Sequence, residues 1–195
     1  MDIHAGGVDL KFPHHDNEIA QAEAKYDCGQ WVNYFLHTGH LHIKGFKMSK
    51  SLKNFITIKQ ALEEHSIRLL FLLHKYNTPM DYGDDAMAGA LGAEKIFSEF
   101  FHNVKAALRR STPKDPVRLL EPELILQAKL VDAKKVVRSS LCDDFDTPGA
   151  MGALQELVKA VNKYLETKEK AEKPIVADCV RRAAEYVTKI FKVKG

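Results

Sequence analysis

Cysteine is scarce in this sequence and poorly spaced for crosslinking: Cys28, Cys142 and Cys179 are the three thiols in 195 residues. An odd, widely separated set makes neither a disulfide framework nor a metal-binding thiol pair, so a reducing, cytoplasmic setting is expected. Long hydrophobic runs are missing too. None approaches the roughly 20 apolar residues that span a bilayer, and the N-terminus lacks a basic-then-apolar leader, so no membrane partner is expected. Neither sign of charge is in large excess: the net charge of +3 permits RNA as a partner without demanding it. No internal repeat stands out. Hydrophobic residues make up 45% and charged residues 28%, an ordinary globular composition, and the length suffices for one domain or two small ones. The chain enters strand-like sequence at once, Met1-Asp2-Ile3-His4, and reads as cut from something larger.

What is present is organised around Lys47-Met48-Ser49-Lys50-Ser51. Two lysines and two serines lie between an alternating apolar run and the start of an amphipathic helix. Gly45, just upstream, bends the chain at no steric cost. Compact ammonium charges and hydroxyls on a loop suit a multiply charged anion that must be held and then released. A polyphosphate is the obvious candidate, with lysine as a movable point charge; a plain Lys/Ser-rich surface loop is the alternative.

Upstream, Ile3 to Asp9 reads as a strand running into a glycine turn. Gly6 and Gly7 let a backbone approach a ligand closely, and the Asp9 carboxylate can accept hydrogen bonds from ribose hydroxyls. Taken alone, a plain turn with an exposed aspartate is the better reading. Next comes Phe12-Pro13-His14-His15-Asp16-Asn17-Glu18, a helix start with proline in its first turn. His14 and Glu18 share a face at i and i+4, and an imidazole nitrogen with a carboxylate oxygen suits Zn²⁺. Two ligands do not complete a tetrahedral site. His15, at i and i+3 from Glu18, can replace His14, and a solvated histidine pair at an acidic helix N-terminus is the reading without metal.

Strands are expected at Tyr34–Thr38 and His40–Ile43, the second delivering the lysine loop. His37, His40 and His42 read as ordinary sheet histidines. Thr57 can cap a helix to Glu64, and Ser66 another through Tyr76, whose Leu69–Leu73 run should be buried. Asn77 to Asp84 is turn chemistry, and a domain boundary is placed there. Helices are expected from Asp84 or Asp85 to Arg110, with a stripe of Leu91, Ile96, Phe97, Phe100, Phe101, Val104 and Leu108, then over Glu121–Leu141. Asp143-Asp144-Phe145-Asp146-Thr147-Pro148 reads as helix capping rather than as catalytic acids, opening a helix to about Lys168. A last helix runs from Asp178 to Phe191.

Letter for letter, Lys47–Ser51 matches the KMSKS loop of class I aminoacyl-tRNA synthetases. DIHAGGVDLKFPHHDNEIAQAEA together with KMSKSLKNFITIKQAL resembles cysteinyl-tRNA synthetase, and the likeness continues through RLLFLLHKY, FFHNVKAALR and LCDDFDTPGAM. It implies a mainly α chain with a small α/β part. Residues 1–80 would be the C-terminal part of a Rossmann-type catalytic domain, and 81–195 an α-helical bundle of the tRNA-binding type. The family binds an active-site zinc through two cysteines, a histidine and a glutamate; by motif the last two are His14 and Glu18, and Cys28 matches neither thiol position. Gly7 and Asp9 lie where the family holds the adenosine ribose.

The resemblance implies attack of the cysteine carboxylate on the α-phosphate of ATP, with Mg²⁺, to give cysteinyl-adenylate, then transfer to tRNA(Cys). Lys50 would meet the phosphates, with Lys47, Met48, Ser49 and Ser51 shaping the loop. The HIGH motif and the two zinc-binding cysteines are not in this sequence, so the chain alone should not aminoacylate. Lys53 stands where bacterial members usually have Gly, which looks more like the eukaryotic cytosolic form. The competing readings are a non-catalytic RNA-binding module derived from such a synthetase and, more remotely, a zinc hydrolase using His14, His15 and Glu18, which would lack the HExxH spacing.

Overall fold

The structure, a computed structural model, describes residues 1–43, 45–48, 51, 53, 57, 59, 66–111 and 119–192. The chain divides into two compact units, Met1–Ala88 and Gly89–Gly195.

In the first unit, β1 (Ile3–Gly7) and β2 (Tyr34–Thr38) run parallel, in register from Ile3 opposite Tyr34 to Gly7 opposite Thr38. Parallel neighbours need a long crossover. The intervening residues supply it as a 3-10 turn at Val8–Leu10, a π-turn at Lys11–His15 and α1 (Asp16–Tyr26). The helix expected to carry Pro13 in its first turn therefore starts later. Phe12 is extended, with φ −139° and ψ 132°, the region favoured before a proline, and regular helix begins at Asp16. Asp27, left-handed at φ 48°, ends α1, and its N–H donates to the Glu23 carbonyl.

A second small sheet has the order β4-β3-β5. β3 (Leu41–Ile43) pairs antiparallel with β4 (Phe46–Lys47) across Gly45, whose φ of +77° suits glycine, and parallel with β5 (Met80–Tyr82). β5 corrects the expectation of turn chemistry throughout 77–84. Three residues between Pro79 and Gly83 are too short a run to stand out by composition, and their place is set by the neighbouring chain. A Cβ on Gly39 would lie 2.1 Å from the Thr78 carbonyl oxygen, so only glycine lets the two segments approach this closely.

The long apolar helix expected over 66–76 is also corrected. α2 covers Ile67–Leu72, buries Leu70, and leaves Phe71 54% exposed. A helix of fewer than two turns has one inward face, so a continuous apolar run cannot all be covered by this unit. The helix expected over Thr57–Glu64 lies outside the described residues.

The second unit is helical, from residue 89 of α3 (Asp84–Arg110) through α4 (Glu121–Cys142), α5 (Thr147–Lys170) and α6 (Ala177–Phe191). Its core is built from residues three and four apart: Ala93, Phe97, Phe100 and Val104 of α3, Leu154, Leu157, Val158 and Val161 of α5, and Val180, Ala183 and Val187 of α6. Leu91 and Ile96, expected in the α3 stripe, face outward. Asp143 ends α4, its N–H donating to the Ser139 and Ser140 carbonyls, and Asp146 is the N-cap position of α5.

Among the described residues, one carboxylate sits inside this apolar bundle. Glu123 is fully buried; its Oε1 accepts from the Tyr164 hydroxyl at 2.7 Å and from Lys168 Nζ at 2.6 Å, and its Oε2 from the Leu120 N–H at 2.9 Å. The Tyr164 oxygen in turn accepts the Val176 N–H at 2.9 Å. Burial alone would raise the Glu123 pKa, but the bonds from Lys168, Tyr164 and the Leu120 amide outweigh it and hold the group below the usual carboxylate range.

Glu123→Gln leaves the Lys168 ammonium buried without its counter-charge and should cost about 3–5 kcal/mol of unfolding free energy, read by urea denaturation. A loss under about 1 kcal/mol would rule out a structural role for the pair. Because the folded-state pKa of Glu123 is depressed, its stabilising contribution is complete above the unfolded-state value of about 4.3 and fades as the pH falls through the folded value. Unfolding free energies of wild type and Glu123→Gln should therefore converge as the pH is lowered.

Candidate functional site

The crossover of the first unit gathers four polar rings and acids that are far apart in sequence. His4 comes from β1, His15 from the π-turn, Glu18 from α1 and His37 from β2. His4 Nε2 lies 2.6 Å from Glu18 Oε2, and His15 Nδ1 lies 3.0 Å from His37 Nε2. The His4 and His15 rings meet at 4.3 Å between centroids, with Phe35 and Trp31 edge-on to His4 at 5.6 and 5.8 Å. His15 is 4% exposed. Burial, and then the nearby His15, lower the His37 pKa, which favours neutral imidazole there.

Gly6 makes the arrangement possible. A Cβ on Gly6 would stand 2.9 Å from His15 Cε1, so the ring occupies space that any other residue would fill. His4, His15 and Glu18 each offer a donor atom, all within 4.8 Å of one another. Two imidazoles and a carboxylate are zinc-type donors. No cysteine belongs to this group, and the exposed His14 lies outside it. Of the histidine alternatives left open by the sequence, the described geometry gathers His15, and it adds His4.

A second constellation lies at the end of β1. The Asp9 carboxylate folds back over Gly7, where a Cβ would meet Oδ1 at 2.5 Å. Asp9 Oδ2 accepts from Lys47 Nζ at 2.9 Å, and His40 Nε2 stands 3.6 Å from Oδ1. The hydrogen bond from Lys47 is the main reason the Asp9 carboxyl titrates below its usual range. Both partners of the ion pair are half-exposed. The Met48 N–H donates to the Leu41 carbonyl at 3.0 Å, extending the pairing of β3 and β4 toward the loop. Ser51 is described; Ser49 and Lys50 lie outside the described residues.

His4 escaped the sequence reading, in which His37 and His40 are ordinary sheet histidines. The neighbours of these two are set by the parallel register and by the packing around Gly7, neither of which a single sequence displays. The one available signal was glycine: side-chain-free positions at Gly6 and Gly7 make room for something, and here that something is the His15 ring and the Asp9 carboxylate.

The sequence and the fold are similar to those of known proteins. Residues 1–92 match the family of class I (C) tRNA synthetase catalytic domains, and residues 136–189 match the DALR domain. The cytoplasmic cysteine–tRNA ligases of Drosophila melanogaster and Homo sapiens are 47% and 45% identical over 202 residues, each covering all of this chain. That of Dictyostelium discoideum is 46% identical over 198 residues. The chain spans 27% of the length of the first two relatives and 30% of the third. Among solved structures, a ternary complex of Agrobacterium radiobacter LeuRS with tRNA and LeuAMS superposes with a TM-score of 0.70 at 18% identity, covering 94% of this chain and 24% of that one. Methionyl-tRNA synthetase of Mycobacterium tuberculosis bound by methionyl-adenylate gives 0.66 at 19%, covering 96% and 39%. The relatives and the family model converge: the chain is homologous along its whole length to part of the cysteine–tRNA ligases, and its residues 1–92 match the class I (C) tRNA synthetase catalytic domain.

Proposed function

We propose that this chain supplies part of the active site of a cysteine–tRNA ligase acting in the cytoplasm, within a longer protein that carries out the whole reaction. Residues 1–80 end its nucleotide-binding domain, and 81–195 form a helical domain of the tRNA-binding type. The observation that carries the reading is the meeting of two separate motifs: Lys47 of KMSKS bonds Asp9 of the glycine turn at 2.9 Å. A cation for phosphates thus stands beside a carboxylate suited to ribose hydroxyls, the two ends of one nucleotide.

In this reading ATP, with Mg²⁺, lies along β1, its ribose on Gly7 and Asp9 and its phosphates on the loop of Lys47, Met48, Ser49, Lys50 and Ser51. The cysteine carboxylate displaces pyrophosphate from the α-phosphate, and a terminal hydroxyl of tRNA(Cys) then takes the cysteinyl group. Such chemistry requires charge neutralisation and positioning more than a covalent catalyst. Lys50 neutralises charge developing on the departing pyrophosphate, and Lys47 belongs with it to the loop that faces the phosphates.

Zinc is the family's means of choosing cysteine, since a bound thiolate is favoured over a serine hydroxyl. Glu18 is the ligand common to both histidine choices, His14 by resemblance and the His4–His15 pair by proximity. The donors of this chain are zinc-like but lack thiolates, so a complete thiol-bearing site needs residues from elsewhere in the longer protein.

ATP–pyrophosphate exchange by the natural-length protein should depend on cysteine and be absent with serine. Lys50→Ala should lower the exchange rate by about 10²–10³-fold while leaving the KM for cysteine nearly unchanged; a change confined to cysteine KM would remove Lys50 from phosphate handling. If a folded, zinc-loaded protein shows no exchange, the chain is an RNA-binding module that has lost the chemistry.

Metal analysis of variants addresses the zinc ligands directly. Glu18→Gln should release zinc whichever histidine is used. Loss of metal in His14→Ala with retention in His4→Ala would assign the imidazole to His14, and the reverse result to the ring cluster.

A further inference from the structure

Asp9 is asked to do two things at once. Its Oδ2 holds Lys47 at 2.9 Å, while the proposed nucleotide needs the same carboxylate for its ribose. Vicinal ribose hydroxyls sit on the opposite side of the sugar from the 5′-phosphates. A lysine bonded to the ribose carboxylate is therefore pointed away from the phosphates it is meant to meet. Both oxygens of the carboxylate already have cationic or ring neighbours. The group is folded over Gly7, where a Cβ would meet Oδ1 at 2.5 Å, and His40 Nε2 bounds that same oxygen at 3.6 Å. A ribose reaching this carboxylate therefore competes with Lys47 for Oδ2 and with His40 for Oδ1.

We propose that Lys47 and the nucleotide ribose are alternative partners of Asp9. Without nucleotide, Lys47 is parked on Asp9, with His40 positioning the carboxylate from its other side. When a nucleoside triphosphate binds, the ribose takes Asp9 and Lys47 transfers to the phosphates, so release of the loop lysine is coupled to ribose recognition. The pair suits such an exchange because it is half-exposed, 52% for Lys47 and 49% for Asp9, and exposed ion pairs are easily given up. The inference rests on the ribose assignment of Asp9 and makes a prediction that the assignment alone does not.

A nucleoside without phosphates must break the pair and gives Lys47 nothing in return. A triphosphate repays it. The test is equilibrium binding of adenosine and of ATP, by titration calorimetry, to the natural-length protein and four variants. Lys47→Met should tighten adenosine by about two- to fivefold, the range open to an exposed pair, and weaken ATP. Lys47→Arg, which restores the ion pair, should return adenosine affinity toward wild type. Asp9→Asn should weaken adenosine, and Lys47→Met added to it should bring no gain.

Unchanged or weaker adenosine binding by Lys47→Met, with Asp9→Asn still weakening it, overturns the exchange and leaves the ribose assignment standing. Wild-type adenosine affinity in Asp9→Asn, or no saturable adenosine binding to the wild type, overturns the ribose assignment and the exchange with it.

Discussion

Two hydrogens in place of two methyl groups set the geometry of the first unit. β1 ends in Gly6 and Gly7, and the volume that side chains would occupy there is filled by the His15 ring and by the Asp9 carboxylate. Protein interiors transmit such constraints because they are close-packed. Were either position larger, a functional group would be pushed off its partner: His15 from His37, or Asp9 from Lys47 and His40. The strand thus serves two constellations from neighbouring residues whose side-chain positions point to opposite faces of the β1–β2 sheet.

The second unit solves a different problem. Its helices bury apolar stripes, yet the stretches before α4 and α6 carry backbone N–H groups that need acceptors. Glu123 takes the Leu120 amide, and the Tyr164 hydroxyl takes that of Val176, so one buried network pins the entries to two helices onto α5. Lys168 keeps the charge balanced. Apolar packing alone would leave these amides without acceptors, which is costly in a dry interior.

Much of this was legible in the residues, and the failures have physical causes. The long helices α3, α4, α5 and α6 follow from apolar spacing and from breakers such as Pro113, Pro116 and Pro174. β2 follows from its aromatic residues. β5 did not, because three residues carry no period of their own and are held in line by Gly39 and Thr78. The Leu69–Leu73 run promised burial, but hydrophobicity states a need for cover without saying which segment supplies it; Phe71 remains exposed. Of the candidate site, the loop lysine and the glycine turn were readable as motifs. Their contact was not, since it joins residues 38 positions apart. The ring cluster was least legible, because it depends on the parallel register that puts His37 opposite Gly6.

The same parallel register has a bearing on how the chain behaves in a test tube. Parallel sheets are normally covered on both faces and flanked by further strands. Here β1 pairs with β2 alone among the described residues, with Ile3 63% and Tyr34 71% exposed on that ribbon. Unpaired amide and carbonyl rows beside exposed apolar side chains are a template for strand addition. Prepared by itself, the chain offers this exposed ribbon as a surface on which a further strand can add.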